Sequence, residues 1–191
     1  MGSSLIKHAF SEAKLRPGGT NLTLERQNIA LWWQGYGGLQ LDKTRQKIRT
    51  LDKVGPAPNF ILIHCGGNDL GNLSVRRIRV VANQLLSFIK TKFHNVRIIW
   101  SFILPRIQWR YSSNNNAICM EQARKRINSY IASLVLQAEG AIIRHTDITS
   151  DPALFLSDGV HLSRIGNNIF LNSIQGGLEA IVLHGHSCYP N

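Results

Sequence analysis

Phe60-Ile61-Leu62-Ile63-His64-Cys65-Gly66-Gly67-Asn68-Asp69 joins an unbroken apolar run to a glycine turn that ends in two polar side chains. Such a run, β-branched or aromatic and without polar alternation, reads as a strand buried on both faces. Three other stretches have the same character: Ile29–Trp33, Val96–Leu104 and Ala141–His145. Between and around them the apolar residues switch to a helical period. Val75, Ile78, Ala82, Leu85 and Ile89 fall on one face, with Ser74 placed as an N-cap. Met120, Ala123, Ile127, Ile131, Leu134 and Ala138 form a second stripe, and Phe170, Ile174, Leu178 and Ile181 a third. Leu5, Ala9 and Ala13 make a shorter opening stripe.

Strands alternating with helices predict a parallel sheet covered on both faces, a three-layer αβα arrangement of flavodoxin-like type. Leu15–Leu22, Lys53–Asn59 and Trp109–Asn116 read as loops, and Gly185–Asn191, without pattern, as a frayed tail beyond a single domain over 1–184.

The chain has 191 residues, enough for one domain with a full core, and 43% of them are apolar, which argues against disorder. Its charge is unusual: 22 Lys and Arg against 11 Asp and Glu, a formal net charge of +11. Such a balance favours nucleic acid, acidic lipid or an acidic partner. The basic residues are scattered, however. The densest groups, Arg76-Arg77-Arg79, Arg124-Lys125-Arg126 and Lys43-Arg45-Lys47-Arg49, sit on expected helices without interleaved aromatics, so they read first as solvated faces. Cys65, Cys119 and Cys188 are far apart and include no CxxC pair, which argues against a zinc site and for a reducing compartment. No signal peptide or apolar span is visible, so an intracellular, cytoplasmic protein is expected.

In parallel α/β sheets, sites form at the carboxyl ends of strands. The residues there are Gly35-Tyr36-Gly37-Gly38, Gly66-Gly67-Asn68-Asp69 and Ser157-Asp158-Gly159-Val160-His161. Asp158 and His161, three apart in a tight loop, suit a carboxylate that orients an imidazole base; a helix cap beside an unrelated histidine is the blander reading. Asn68 offers a side-chain N–H, and the glycines offer free backbone N–H groups, all usable by an oxyanion; turn chemistry explains the same residues. Ser4, after Gly2 and Ser3, lies at a helix start, where it is either a nucleophile or a cap.

Taken together and in order, these blocks resemble the SGNH hydrolase family, also called GDSL-like lipases and esterases. Gly2-Ser3-Ser4-Leu5 resembles the GDSL block with Ser3 in place of the usual Asp, Gly35-Tyr36-Gly37-Gly38 the Gly block, Gly66-Gly67-Asn68-Asp69 the GxND block, and Asp158-Gly159-Val160-His161 the closing DxxH block. The stretch from Asp158 to Leu178 is also similar to esterase-like domains carried by vertebrate retroelements. The resemblance implies a serine esterase acting on a small ester without metal or organic cofactor. Ser4 would be the nucleophile, His161 the base and Asp158 its orienter. Ser4 and Gly38 N–H groups (Gly37 if the register is one residue off) and the Asn68 side chain would form the oxyanion hole, with Asp69 in support.

Only Met1, Gly2 and Ser3 precede Ser4, so the family's first central strand is expected to be missing, leaving a gap between Ile29–Trp33 and Phe60–His64. That puts activity in question and suggests a piece of a longer protein or a decayed copy. The alternative function is a catalytically impaired SGNH-like module that binds nucleic acid or an acidic partner through its net charge.

Overall fold

The expected run at 60–64 becomes β1 (Phe60–Ile63), and the helical stripe behind it becomes α3 (Val75–Lys92), opened by Ser74, whose hydroxyl accepts from the Arg77 N–H at 3.2 Å. The structure, a computed structural model, describes residues 1–109 and 117–191. The remaining elements are α1 (Ser4–Ala13), α2 (Leu41–Leu51), β2 (Arg97–Ser101), α4 (Ala117–Gln137), β3 (Ala141–Ile143), α5 (Arg164–Leu178) and β4 (Cys188–Tyr189). Most of the loop expected over Trp109–Asn116 lies outside the described residues.

The four strands pair in the order β1-β2-β3-β4, every pair parallel. Successive residues of β2 face opposite layers, as pleating requires. Ile98 and Trp100 join the core under α2, α3 and α4, where Ile48, Leu85, Ile89, Ile127 and Val135 are buried. Ile99 joins the core under α1 and α5, with Leu5, Ala9, Phe170 and Ile174. Each fully buried Leu or Ile in these layers contributes roughly 1.5–3 kcal/mol relative to exposure. At Gly177 a Cβ would come within 2.5 Å of Ile143, so this glycine lets α5 lie directly on β3.

The first central strand is indeed not a full strand, but its place is not empty. Met1–Ser3 runs between β1 and residues 34–36. The Met1 amino group donates to Leu62 O at 2.5 Å, His64 N–H to Met1 O at 3.0 Å and Ser3 N–H to His64 O at 3.3 Å. On the other side Gly2 N–H donates to Gln34 O and Tyr36 N–H to Gly2 O. Gly2 therefore bridges both Gly35 and His64 in parallel sense, and its Cα has no room for a side chain: a Cβ would lie 2.3 Å from His64 O. This is a correction to the expected open gap. These contacts lie at the carboxyl end of β1, beside the candidate site.

Two further expectations are corrected. Ile29–Trp33 is not a ladder strand. The Leu31 N–H is taken instead by Asn21 Oδ1 at 2.9 Å, while Ile29, Leu31 and Trp33 still pack on the α1–α5 layer. Residues 185–191, read as frayed, contain β4: Ile142 N–H donates to Ser187 O and Arg144 N–H to Tyr189 O. A two-residue edge strand with only a Cys-Tyr pair leaves no periodic signal in the sequence. No helix among the described residues is long and apolar enough to cross a membrane.

Candidate active site

α1 starts at Ser4 because the chain leaves the sheet at Ser3, which is buried and extended (φ −75°, ψ −163°). Its backbone anchor at His64 holds the helix start at the carboxyl end of β1. Ser3, the residue before the helix, makes no side-chain cap bond.

The DxxH loop is held from three directions. Asp158 Oδ1 accepts from the N–H groups of Val160 and His161, both at 2.9 Å, which folds the loop back on itself. Gly159 takes φ +64°, and its carbonyl accepts from Ile107 and Gln108 N–H, tying the loop to the segment after β2. Phe155 and Leu162 bridge the loop's ends in antiparallel sense, and Ser163 caps α5. The result is a continuous chain of polar contacts. Asp158 Oδ2 lies 2.5 Å from His161 Nδ1, and His161 Nε2 lies 2.9 Å from Ser4 Oγ. Partial burial pushes the Asp158 carboxyl up, but the hydrogen bonds from the His161 ring and from the loop N–H groups outweigh it and hold the carboxyl down at about 2. An ionised Asp158 accepts the Nδ1 proton, which leaves Nε2 as the acceptor facing Ser4.

The Gly and Asn blocks meet through one residue, Leu39. Asn68 Nδ2 donates to Leu39 O at 3.1 Å, and the Cys65 thiol donates to the same oxygen at 3.5 Å. Gly38 stands just before it, exposed and at φ +66°, a conformation that favours glycine. Gly37 is equally exposed beside it. Among the described residues no hydrogen bond joins Gly38 or Asn68 to Ser4, so the two blocks form a neighbouring wall rather than part of the Ser4–His161–Asp158 chain. Asp69 is fully buried, and its carboxylate oxygens accept from Leu41 N–H at 3.2 and 3.3 Å, capping α2 from outside its own chain segment. Burial raises its carboxyl to about 7.

Three features escaped sequence reading. His8, one turn after Ser4 on α1, stacks on His161 with ring centroids 4.6 Å apart and planes 13° from parallel. Its pKa is lowered, first by burial and then by His161 and Lys7. A helical i, i+4 relation to Ser4 was the available signal. Arg106, after β2, brings a guanidinium to within 3.4 Å of Asn68 Oδ1 and over Gly67, where a Cβ would be 2.6 Å from its Nη2. Its place at the carboxyl end of a strand was the signal. The third is a buried relay beneath the site: His64 Nδ1 is 2.9 Å from Ser101 Oγ, which is 2.7 Å from His145 Nε2, and His145 Nδ1 is 2.8 Å from Ser173 Oγ. Ser173 donates onward to Arg144 O, so it accepts from His145 Nδ1–H; Ser101 then donates to His145 Nε2 and accepts from His64 Nδ1–H. Both rings stay neutral. Burial, then the charge of Arg106, pushes His64 down to about 3, and burial lowers His145 well below its ordinary value.

No metal-binding group of His, Cys, Asp or Glu exists among the described residues, and the three cysteines are free.

The parallel sheet between two helical layers thus brings a serine, a histidine and an aspartate into contact at the carboxyl ends of its strands, an arrangement suited to nucleophilic acyl transfer. No family model matches the chain. In sequence it is 22% identical, over 207 aligned positions, to a GDSL esterase/lipase of Arabidopsis thaliana, covering 93% of this chain and 83% of the relative. In structure it is similar to the family 3 carbohydrate esterase of Clostridium thermocellum (TM-score 0.70, 17% identity, 96% of this chain and 95% of that one). It is also similar to the esterase EstA of Pseudoalteromonas, solved with monoethylphosphonate as inhibitor (TM-score 0.68, 15% identity, 91% and 89%). The chain is thus similar in sequence to a GDSL esterase/lipase and shares the fold of GDSL-like lipases and esterases.

Proposed function

We propose that the protein hydrolyses carboxylic esters through a covalent acyl-enzyme on Ser4. The observation that carries this reading is the unbroken contact from Ser4 Oγ to His161 Nε2 at 2.9 Å and from His161 Nδ1 to Asp158 Oδ2 at 2.5 Å. Ser4 Oγ attacks the ester carbonyl carbon as its proton passes to His161 Nε2. Asp158 keeps the Nδ1 proton in place and stabilises the imidazolium. The negative oxygen is received by the N–H groups of Ser4 and Gly38 and by Asn68 Nδ2. Ser4 lies at the N-terminus of α1, whose dipole favours the same charge. Collapse breaks the C–O bond, and the leaving alcohol takes the proton back from His161. Water then attacks the acyl-enzyme by the same route, releasing acid and restoring Ser4.

The esterase names of the sequence relative and of the structural neighbours support an ester as substrate. Treatment with a fluorophosphonate probe tests the reading directly. Stoichiometric labelling is expected at Ser4, lost in Ser4→Ala and strongly slowed in His161→Ala. An unlabelled protein, or labelling that persists in Ser4→Ala, overturns it.

A further inference from the structure

Beside Gly38 lies an open pocket of about 400 Å³ whose polar lining is dominated by lysine. Lys7 enters it from α1, three residues after Ser4; Lys43 and Lys47 enter from α2, where the i, i+4 spacing puts them on one face. The geometry of the walls is constrained. Gly35 presses against the backbone of Lys7, so closely that a Cβ would lie 2.4 Å from Lys7 N. The Lys47 ammonium sits over the Tyr36 ring, 4.6 Å from its centroid, which draws the helix side chain onto the glycine loop. No carboxylate lines the pocket. Asp42, which is not part of the lining, meets Lys43 at 3.7 Å with both side chains well exposed, too weak a contact to cancel three cations.

We infer that this pocket holds an anionic group carried by the substrate, so that the preferred ester bears a carboxylate or phosphate close to the bond being cut. The inference rests on the ester-hydrolase reading for its chemistry, and it goes further by naming the substrate class. Three ammonium groups around one concavity raise the local concentration of an anion and stabilise it as point charges, without the planar two-point geometry that an arginine would impose. Gly38, an expected oxyanion donor, belongs to the wall of the same pocket, so an anion seated there lies on the side of the glycine loop. Much of the positive charge of this chain is spread over separate helix faces, but here three lysines line one cavity, Lys7 among them lying three residues after Ser4 on α1.

The test compares para-nitrophenyl butyrate, which is neutral, with para-nitrophenyl hemisuccinate, which carries a carboxylate at similar size. The expected result is a kcat/KM about tenfold higher for the hemisuccinate, a few-fold from each exposed lysine. The preference should shrink with added salt and fall toward unity in Lys43→Gln/Lys47→Gln. Inorganic phosphate should compete with the hemisuccinate. Phosphatidylglycerol vesicles distinguish the source of the anion: they inhibit if a lipid headgroup also fills the pocket and leave the rate unchanged if only soluble esters do. Equal or lower kcat/KM for the hemisuccinate overturns the inference, as does tight binding of a short RNA that abolishes discrimination between the two esters. If neither ester is cleaved, the ester-hydrolase reading fails by itself. The pocket is then read by calorimetric titration with inorganic phosphate: binding that is lost in the double variant upholds the anion site, and no binding removes it.

Discussion

The Ser4 hydroxyl lies 2.9 Å from Nε2 of His161, although 157 positions separate the two residues along the chain. The contact depends on two independent anchors: Met1–Ser3 pinned between β1 and residues 34–36, and the Asp158 loop pinned to the segment after β2. If the pair acts as one unit, its effects are not additive. Ser4→Ala and His161→Ala should each lower kcat for a para-nitrophenyl ester by about 10³-fold or more, and the double variant should be no worse than either alone. Steady-state kinetics on the three variants checks this; a double variant slower by the product of the single effects would mean that the two side chains work separately.

His8 should act as a positioning residue through its stack on the His161 ring. Loss of an aromatic stack is worth about 0.5–1.5 kcal/mol, so His8→Ala should reduce kcat by roughly two- to tenfold with KM unchanged. His8→Phe should restore most of it, because a flat ring is what holds the imidazole. A rise in KM alone, or no rescue by phenylalanine, would assign His8 a different role.

Asn68 should matter to the transition state rather than to the fold. Loss of one oxyanion donor typically costs about 10²–10³ in rate, so Asn68→Ala should lose that much in kcat with a small change in melting temperature. Its other contacts, to Leu39 O and from Arg106, are partly exposed and contribute little to stability. A variant that unfolds while the residual folded protein keeps full kcat would show that Asn68 serves only the loop.

Acid should destabilise the fold well before the surface carboxylates titrate. His64 and His145 are neutral in the folded chain, with His64 at about 3, but take protons near their ordinary value of 6.5 once unfolded. The unfolded state therefore binds more protons below pH 6.5, and stability is lost as pH falls from about 6.5 toward 3, by up to ~1.4 kcal/mol per pH unit for each ring. Asp69, raised to about 7, works in the opposite sense: it keeps its proton in the fold, and that contribution is lost as pH rises from about 4 through 7. Two rings outweigh one carboxyl. Melting temperature should thus drop between pH 7 and pH 5, more steeply in Asp69→Asn and less steeply in His145→Gln. A flat or rising melting temperature on acidification contradicts the neutral relay.

Much of the site was visible in local sequence because its parts are local. The Asp158–His161 spacing makes a turn in which Asp158 binds the loop's own N–H groups, and Gly66-Gly67-Asn68-Asp69 follows an apolar run that can only end at a sheet edge. His8 was not visible, because a histidine on a helix faces His161 only once α1 and α5 have packed. Arg106 was not visible because Pro105-Arg106 has no pattern apart from the strand before it. Cys188–Tyr189 looked like a frayed end because two residues carry no period, whereas an exposed sheet edge accepts any short extended segment.

By itself the amino-acid order determined the alternation of apolar runs and helical stripes, and with it a parallel sheet between two helical layers, because side-chain period and burial are properties of short segments. Only the tertiary structure decided that Met1–Ser3 bridges β1 and residues 34–36, that Ser4 and His161 meet, and that Lys7, Lys43 and Lys47 converge beside Gly38. Those relations join segments far apart in the chain, and backbone hydrogen bonds and layer packing, not local preference, set their distances.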